Sequence, residues 1–126
     1  MAEAVVINRF REKIARHMYN ESPLPRIRFM AFGDGGHNSD LSPKAMDPAR
    51  ESLYNERLRK ELNNIMQEDS MSVTGIGRLE RDELVGAQIS EIGLLDANGD
   101  LIGFRCFSPK IKDVDETYEV ELKIRF

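Results

Sequence analysis

The chain holds one cysteine, two histidines and no tryptophan, and no apolar run in it is long enough to cross a membrane as a helix. Each shortage removes a class of chemistry. Cys106 alone can form no internal disulfide, which fits a reducing compartment, and no Cys-x-x-Cys pair or neighbouring histidine supports thiol chemistry. Placed between Arg105 and Phe107 on an apolar run, it reads as a small buried hydrophobe. His17 and His37 lack the companions that a metal site or general base requires, and the sequence implies no cofactor and no metal. With three tyrosines and no tryptophan, the stacking platform of a saccharide binder is poorly supplied. Positive charge is also short: the net charge of -4 argues against a nucleic-acid partner. The start, MAEAVVINRF, lacks the layout of a signal peptide, so residence in the cytoplasm is the expectation.

What is present is an ordinary domain composition, 40% hydrophobic and 32% charged over 126 residues, enough chain for one core, and residues 1–126 read as a single domain. The strongest local signal runs from Glu83 to Phe107. Asn98-Gly99 lies between two apolar-rich runs and predicts a β-hairpin, residues 88–95 pairing with 101–107 through a type I′ turn. Gln88, Ser90, Ile92 and Leu94 fall on one side of the first strand, and Ile89, Glu91, Gly93 and Leu95 on the other. Neither face is wholly polar, so both are expected to meet protein.

Elsewhere, apolar residues at Ile7, Phe10, Ile14 and Met18 predict an amphipathic helix over Ala4 to Met18, ended at Asn20 to Pro23. A strand from Arg26 to Phe32 runs into Gly33-Asp34-Gly35-Gly36, where a turn with several positive φ angles is expected. Residues 37–47 are polar without periodicity and read as a surface loop, the segment most prone to disorder. Asp47-Pro48 looks like a helix start, with Leu58, Leu62 and Ile65 at helical spacing behind Tyr54. Met71 to Leu79 predicts a strand weakened or bulged at Gly75 and Gly77. Last, Tyr118, Val120, Leu122, Ile124 and Phe126 alternate with Glu119, Glu121, Lys123 and Arg125, a strand with one core face and one charged face, expected near a sheet edge.

Two further patterns invite ligands. The GDGGH run could cradle an anion on backbone N–H groups, but it carries neither a P-loop lysine nor the spacing of a dinucleotide site, and a structural turn is the simpler reading. Asp96, Asn98 and Asp100 alternate as calcium ligands do, yet Gly99 and the missing glutamate break the EF-hand spacing, and the hairpin turn explains them.

The residues Val85-Gly86-Ala87, Ile89-Ser90-Glu91-Ile92-Gly93-Leu94, Asp96, Asn98-Gly99, Leu101-Ile102 and Pro109-Lys110, together with Ile27 to Gly36 (IRFMAFGDGG), resemble the phage tail-collar fibre proteins, the baseplate-proximal part of long tail fibres. Asn55-Glu56 followed by Arg57 and Arg59 is a weaker third match. The resemblance spans nearly the whole chain, without the family's long shaft. Its signature falls on Phe32, Gly33, Asp34, Gly35, Gly36, Glu91, Gly93, Asn98 and Gly99. It implies a structural, non-enzymatic tail subunit of a phage or prophage that links receptor-binding machinery to the tail. It further implies a homo-oligomer, three copies by analogy, with baseplate or other tail proteins as partners, assembled in the host cytoplasm and resident in the virion tail. It also places an extended segment over about Arg57 to Met66, where the periodicity favours helix, and both possibilities stand.

Taken together, these features predict an α+β fold, an N-terminal helix packed on a mainly antiparallel sheet that contains the 85–107 hairpin and the C-terminal strand. One helix is too little to cover both apolar faces of the hairpin, so surplus surface should meet a neighbouring subunit, with Ile92, Leu94, Ile102 and Phe104 on one such face. Two other classes of function compete with the tail reading. A saccharide- or protein-binding module would need an exposed aromatic platform, and a cell-envelope hydrolase would need Glu83, Glu91, Asp96 and Asp100 to converge in a cleft.

Overall fold

The computed structural model describes residues 2–126, with the side chain of Ala2 left aside. The described residues form nine strands and one helix: β1 (Ala2–Glu3), β2 (Val5–Val6), α1 (Asn8–Asn20), β3 (Ile27–Gly33), β4 (Glu56–Glu61), β5 (Asn64–Met66), β6 (Ser72–Leu79), β7 (Gln88–Asp96), β8 (Leu101–Ile111) and β9 (Tyr118–Arg125). With 46% strand and 10% helix, the fold is β-rich. The expected α+β architecture is therefore wrong. The cause is a second sheet, in the order β1-β9-β6-β5, packed on the hairpin sheet β2-β8-β7-β3-β4. All pairings are antiparallel except the short β1–β9 contact.

Two bent segments join the sheets. β1 and β2 are separated only by Ala4, and β4 and β5 only by Leu62-Asn63, so each segment belongs to one sheet at one end and to the other sheet at the other. At the second bend Leu62 N–H donates to Arg28 O in the hairpin sheet, and Asn63 N–H donates to Ile76 O in the second sheet. Stepping from neighbour to neighbour around the molecule returns to the starting strand, which makes a flattened barrel. Closure of this kind leaves little sheet edge for stray pairing.

Residues 47–55 contain no helix, and 56–66 is extended, as the resemblance implied and the periodicity did not. Leu58, Leu62 and Ile65 sit on a charged strand that bends, and the change of sheet at Leu62-Asn63 scrambles the two-residue alternation that would have marked it. β9 has the expected alternation, with Leu122 and Ile124 fully buried, but it lies between β6 and β1 instead of at an edge. β6 pairs with β9 from Ser72 to Leu79 without a register shift. Its glycines mark close packing across the barrel: a Cβ on Gly75 would lie 2.6 Å from Leu94 Cδ2, and one on Gly77 2.5 Å from Met30 Sδ.

The hairpin pairs as predicted, yet its turn is of another type. Gly99 alone takes a positive φ, 84°, and Asn98 does not, which excludes type I′. Gly99 N–H donates to Asp96 O, and Asp96 N–H donates to Asp100 O. This is a three-residue loop, a type I turn followed by a left-handed glycine. Asp96 made the difference, since its side chain accepts from Asn98 N–H at 2.9 Å and Asp100 N–H at 3.1 Å.

Every residue from Ile89 to Asp96 is buried. Ile92, Leu94, Ile102 and Phe104 all lie in the core of this one chain, so the expected surplus of apolar surface on the hairpin is absent. The second sheet covers one face. The segment between β3 and β4 covers the other: Leu53 packs against Gly93, and Met46 and Tyr54 join the same cluster. Residues 37–47, expected to be disorder-prone, are tied down by the His37–Pro43 bridge, by Lys44 N–H on Gly36 O and by Tyr54 Oη on Ala45 O.

α1 begins later than predicted because Ala2 to Val6 join the sheets. It ends where Glu21 adopts left-handed geometry (φ 60°) and donates its N–H to His17 O. Phe10 is buried, and its ring lies 6.2 Å from that of Phe126. Met18, the last member of the predicted stripe, is 78% exposed, since the helix has run past the barrel wall by then.

Candidate functional site

Most of the signature residues gather around one carboxylate. Glu91, in the middle of the most buried strand, is fully buried and meets no cation within ion-pair distance among the described residues. Three backbone N–H groups hold it: Tyr54 donates to Oε1 at 2.7 Å, while Asn55 and Gly35 donate to Oε2 at 2.8 and 3.0 Å. One residue earlier, Ser90 Oγ accepts Gly36 N–H at 2.8 Å and lies 2.8 Å from His37 Nδ1. The GDGG turn therefore does form a cradle of backbone N–H groups, and what it holds are the protein's own side chains: Gly35 N–H donates to Glu91 and Gly36 N–H to Ser90.

This cradle explains the glycines better than positive φ does, for Gly33, Gly35 and Gly36 all avoid that region. They are needed for close approach. A Cβ on Gly33 would sit 2.5 Å from Asn55 O and Glu91 Oε2, and one on Gly36 2.4 Å from Ser90 O. Asp34 completes the joint: Asn55 Nδ2 donates to Asp34 Oδ1, and Arg57 pairs with Oδ2. Phe32 is fully buried and stands opposite Ile92, while Gly33 stands opposite Glu91.

A second polar cluster lies at the other end of β7. Asp96 is 1% exposed; beyond its two backbone donors, Oδ2 accepts from Lys13 Nζ at 2.7 Å, and the same ammonium reaches Asp100 Oδ2 at 2.5 Å. Burial works against the charge on Lys13, but the two carboxylates outweigh it and raise its pKa. The hydrogen bond from Lys13 holds Asp100 below the ordinary aspartate value. Asn98 and Gly99 belong to this turn, not to the Glu91 joint, so the nine signature residues divide between two places.

The four acids considered for a hydrolase do not share a cleft. Glu91 is saturated by backbone donors, Asp96 and Asp100 share Lys13, and Glu83 is paired with Lys60. Ser90 and His37 form a hydroxyl–imidazole pair that sequence reasoning missed, but Ser90 is fully buried and its oxygen already accepts Gly36 N–H. Cys106, opposite Glu91 on β8, has its thiol pushed up to about 11, first by burial and then by the Glu91 charge, and at neutral pH it is protonated. His17 is exposed and its Nδ1 donates to Ser22 O. Among the described residues no group of three or more His, Cys, Asp or Glu is placed to hold a metal ion. No helix among them is long and apolar enough to cross a membrane.

The Glu91 joint has one sequence signal that could have revealed it: an acid flanked by Ile89 and Ile92 on a run that is otherwise apolar must find donors when buried. Its partners, Gly35, Tyr54 and Asn55, are 36 to 56 residues away in the chain, and nothing local announces them. Compared with known proteins, the chain matches no protein-family model and no curated protein.

Proposed function

We propose that the chain is a structural, non-enzymatic component of a phage or prophage tail, a fibre or baseplate attachment subunit that links receptor-binding machinery to the tail. The observation that supports this reading is the meeting of three separate segments of the resemblance, Ile27 to Gly36, Asn55-Glu56 and Ile89 to Leu94, at the Glu91 carboxylate. Segments that match a family by chance have no reason to converge on one buried group. The polar chemistry there fastens a loop to a sheet. In this role the protein works beside other tail proteins, assembles in the host cytoplasm, and acts as a homo-oligomer for which the resemblance gives three copies.

Particles induced from the encoding strain, purified on a density gradient and probed with an antibody to this chain, test the proposal. The chain is expected to co-sediment with intact tails and to label the baseplate end by immuno-electron microscopy. Recovery only in the soluble fraction, with tails complete in a deletion strain, would overturn it.

A further inference from the structure

The two ends of the barrel carry apolar surface of complementary kind. At the α1 end, a groove of about 510 Å³ opens between Phe10, Leu24, Ile27, Ile65, Ile124 and Phe126. Leu24, Ile65 and Phe126 remain 37%, 42% and 55% exposed there. Arg26 is the single charged residue lining the groove, and it makes no ion pair among the described residues. The next arginine along, Arg28, is already paired with Glu61.

The opposite end is its counterpart. β8 starts at the groove end with Leu101 and reaches Ile111, and its 11 residues put the two ends about 34 Å apart. There the β8–β9 loop presents Val114, 62% exposed, between the exposed Asp113 and Asp115. Neither aspartate forms an ion pair among the described residues. Val85 and Ile111, also exposed, lie beside it, because Gly86 N–H donates to Lys112 O and Lys112 N–H donates to Ala87 O. The apolar projection flanked by unpaired acids thus faces away from the apolar cavity that carries an unpaired base.

We propose that these two ends bind each other between copies: the Asp113-Val114-Asp115 tip of one molecule seats Val114 in the groove of the next, with the aspartates against Arg26. Burial of Val114, Leu24 and Phe126 supplies the attraction, and the charges fix which end meets which. The contact is heterologous, since different patches meet, and ends that point in opposite directions favour an open stack over a small ring. This contact does not depend on the tail reading, and a ring of three would use other surface.

Sedimentation equilibrium of the full chain, with two single variants, tests it. Wild type is expected to associate with rising concentration, and Leu24→Asp and Val114→Asp, both at exposed positions, are each expected to weaken association at least tenfold. Circular dichroism must show the wild-type fold in both. Mixed in equal amounts, the two variants should form a heterodimer, because one intact groove and one intact tip remain between them. A second pair, Arg26→Glu and Asp113→Lys/Asp115→Lys, should each lose association alone and regain it when mixed. Wild type that stays monomeric up to millimolar concentration, variants that associate like wild type, or a mixture that yields no heterodimer would each overturn the proposal.

Discussion

Two buried carboxylates sit five residues apart on β7 and are stabilised in different ways. Among the described residues, Glu91 is held by three backbone N–H groups and no cation, Asp96 by two backbone N–H groups and Lys13. The first arrangement joins segments distant in sequence and fixes the path of the long β3–β4 connection over the sheet. The second closes a local turn and ties it to α1. A carboxylate held by backbone donors constrains main-chain position directly, whereas one held by lysine tolerates the play of a four-carbon stem. The Glu91 joint should accordingly be the more rigid and the costlier to disturb.

The largest effect is expected for Glu91→Ala. Three part-buried donors lose their acceptor, and at about 1–3 kcal/mol per orphaned group, toward the lower end for donors that water can partly reach, the loss should be on the order of 4 kcal/mol. Urea unfolding would measure it, and proteolysis within residues 37–55 should accelerate in parallel. A loss below about 1 kcal/mol would mean that water replaces the carboxylate without cost, and the contrast between the two acids would fail.

Lys13→Met comes next. Removing the cation leaves Asp96 its two backbone donors, and the Lys13 side chain is 14% exposed, so about 2–3 kcal/mol is expected, below the usual cost of breaking a fully buried pair. In the double variant Lys13→Met/Asp96→Asn part of that loss should return, because the fully buried Asp96 charge is gone and the remaining one, on Asp100, is part-exposed. Additive losses in urea unfolding would show that the two groups are not coupled.

The comparison also marks what sequence could reveal. The Asp96 site is local, and the run Asp96-Ala97-Asn98-Gly99-Asp100 announced its hairpin. Only the turn type differs from the expectation, because Asp96, two residues before Asn98-Gly99, takes the backbone N–H groups of Asn98 and Asp100. The resemblance located Glu91 and the glycine turn as signatures, but not the bond between them, which depends on main-chain groups that carry no residue code. The error in fold class has a similar origin. Strict alternation exposed β9, and hairpin chemistry exposed β7 and β8. The charged surface of β4 and β5 and the bend between sheets hide them from periodicity, though the resemblance places an extended segment there, and β1 and β2 are hidden by their two-residue length. Once the second sheet is missed, the apolar residues on both faces of the hairpin call for a partner subunit that the fold does not need.

The turn itself gives a smaller and sharper contrast. Gly99→Val forces a β-branched residue to a φ of 84°, with its Cβ 3.0 Å from Arg59 Nη1, and about 1–2 kcal/mol should be lost. Asn98→Ala should cost less than about 0.5 kcal/mol, since Asn98 has no positive φ. In a type I′ turn both positions would be sensitive. Thermal unfolding of the pair distinguishes the two turn types, and equal losses would restore type I′.

A further small effect, read by pH, tests the cation that sets the Asp96 turn apart from the Glu91 joint. Asp100, 31% exposed, has its pKa lowered by the hydrogen bond from Lys13, with burial opposing and the charges of Lys13, Arg9 and Arg59 adding to the shift. A carboxyl with a lower pKa folded than unfolded binds fewer protons in the native state. Its contribution is fully present above the unfolded value of about 3.9 and disappears as pH falls through the lower folded value. Wild type should therefore exceed Asp100→Asn by on the order of 1 kcal/mol or less at pH 7, discounted for solvent screening. The difference should stay constant at pH values well above the unfolded value of about 3.9 and close as pH falls through the lower folded value, where Asp100 in wild type becomes neutral itself. Paired urea titrations from pH 7 to pH 2 would follow it. A difference that persists unchanged at pH 2 would mean that the Lys13 bridge stabilises by packing rather than by charge, and the cation would then no longer distinguish the Asp96 turn from the Glu91 joint.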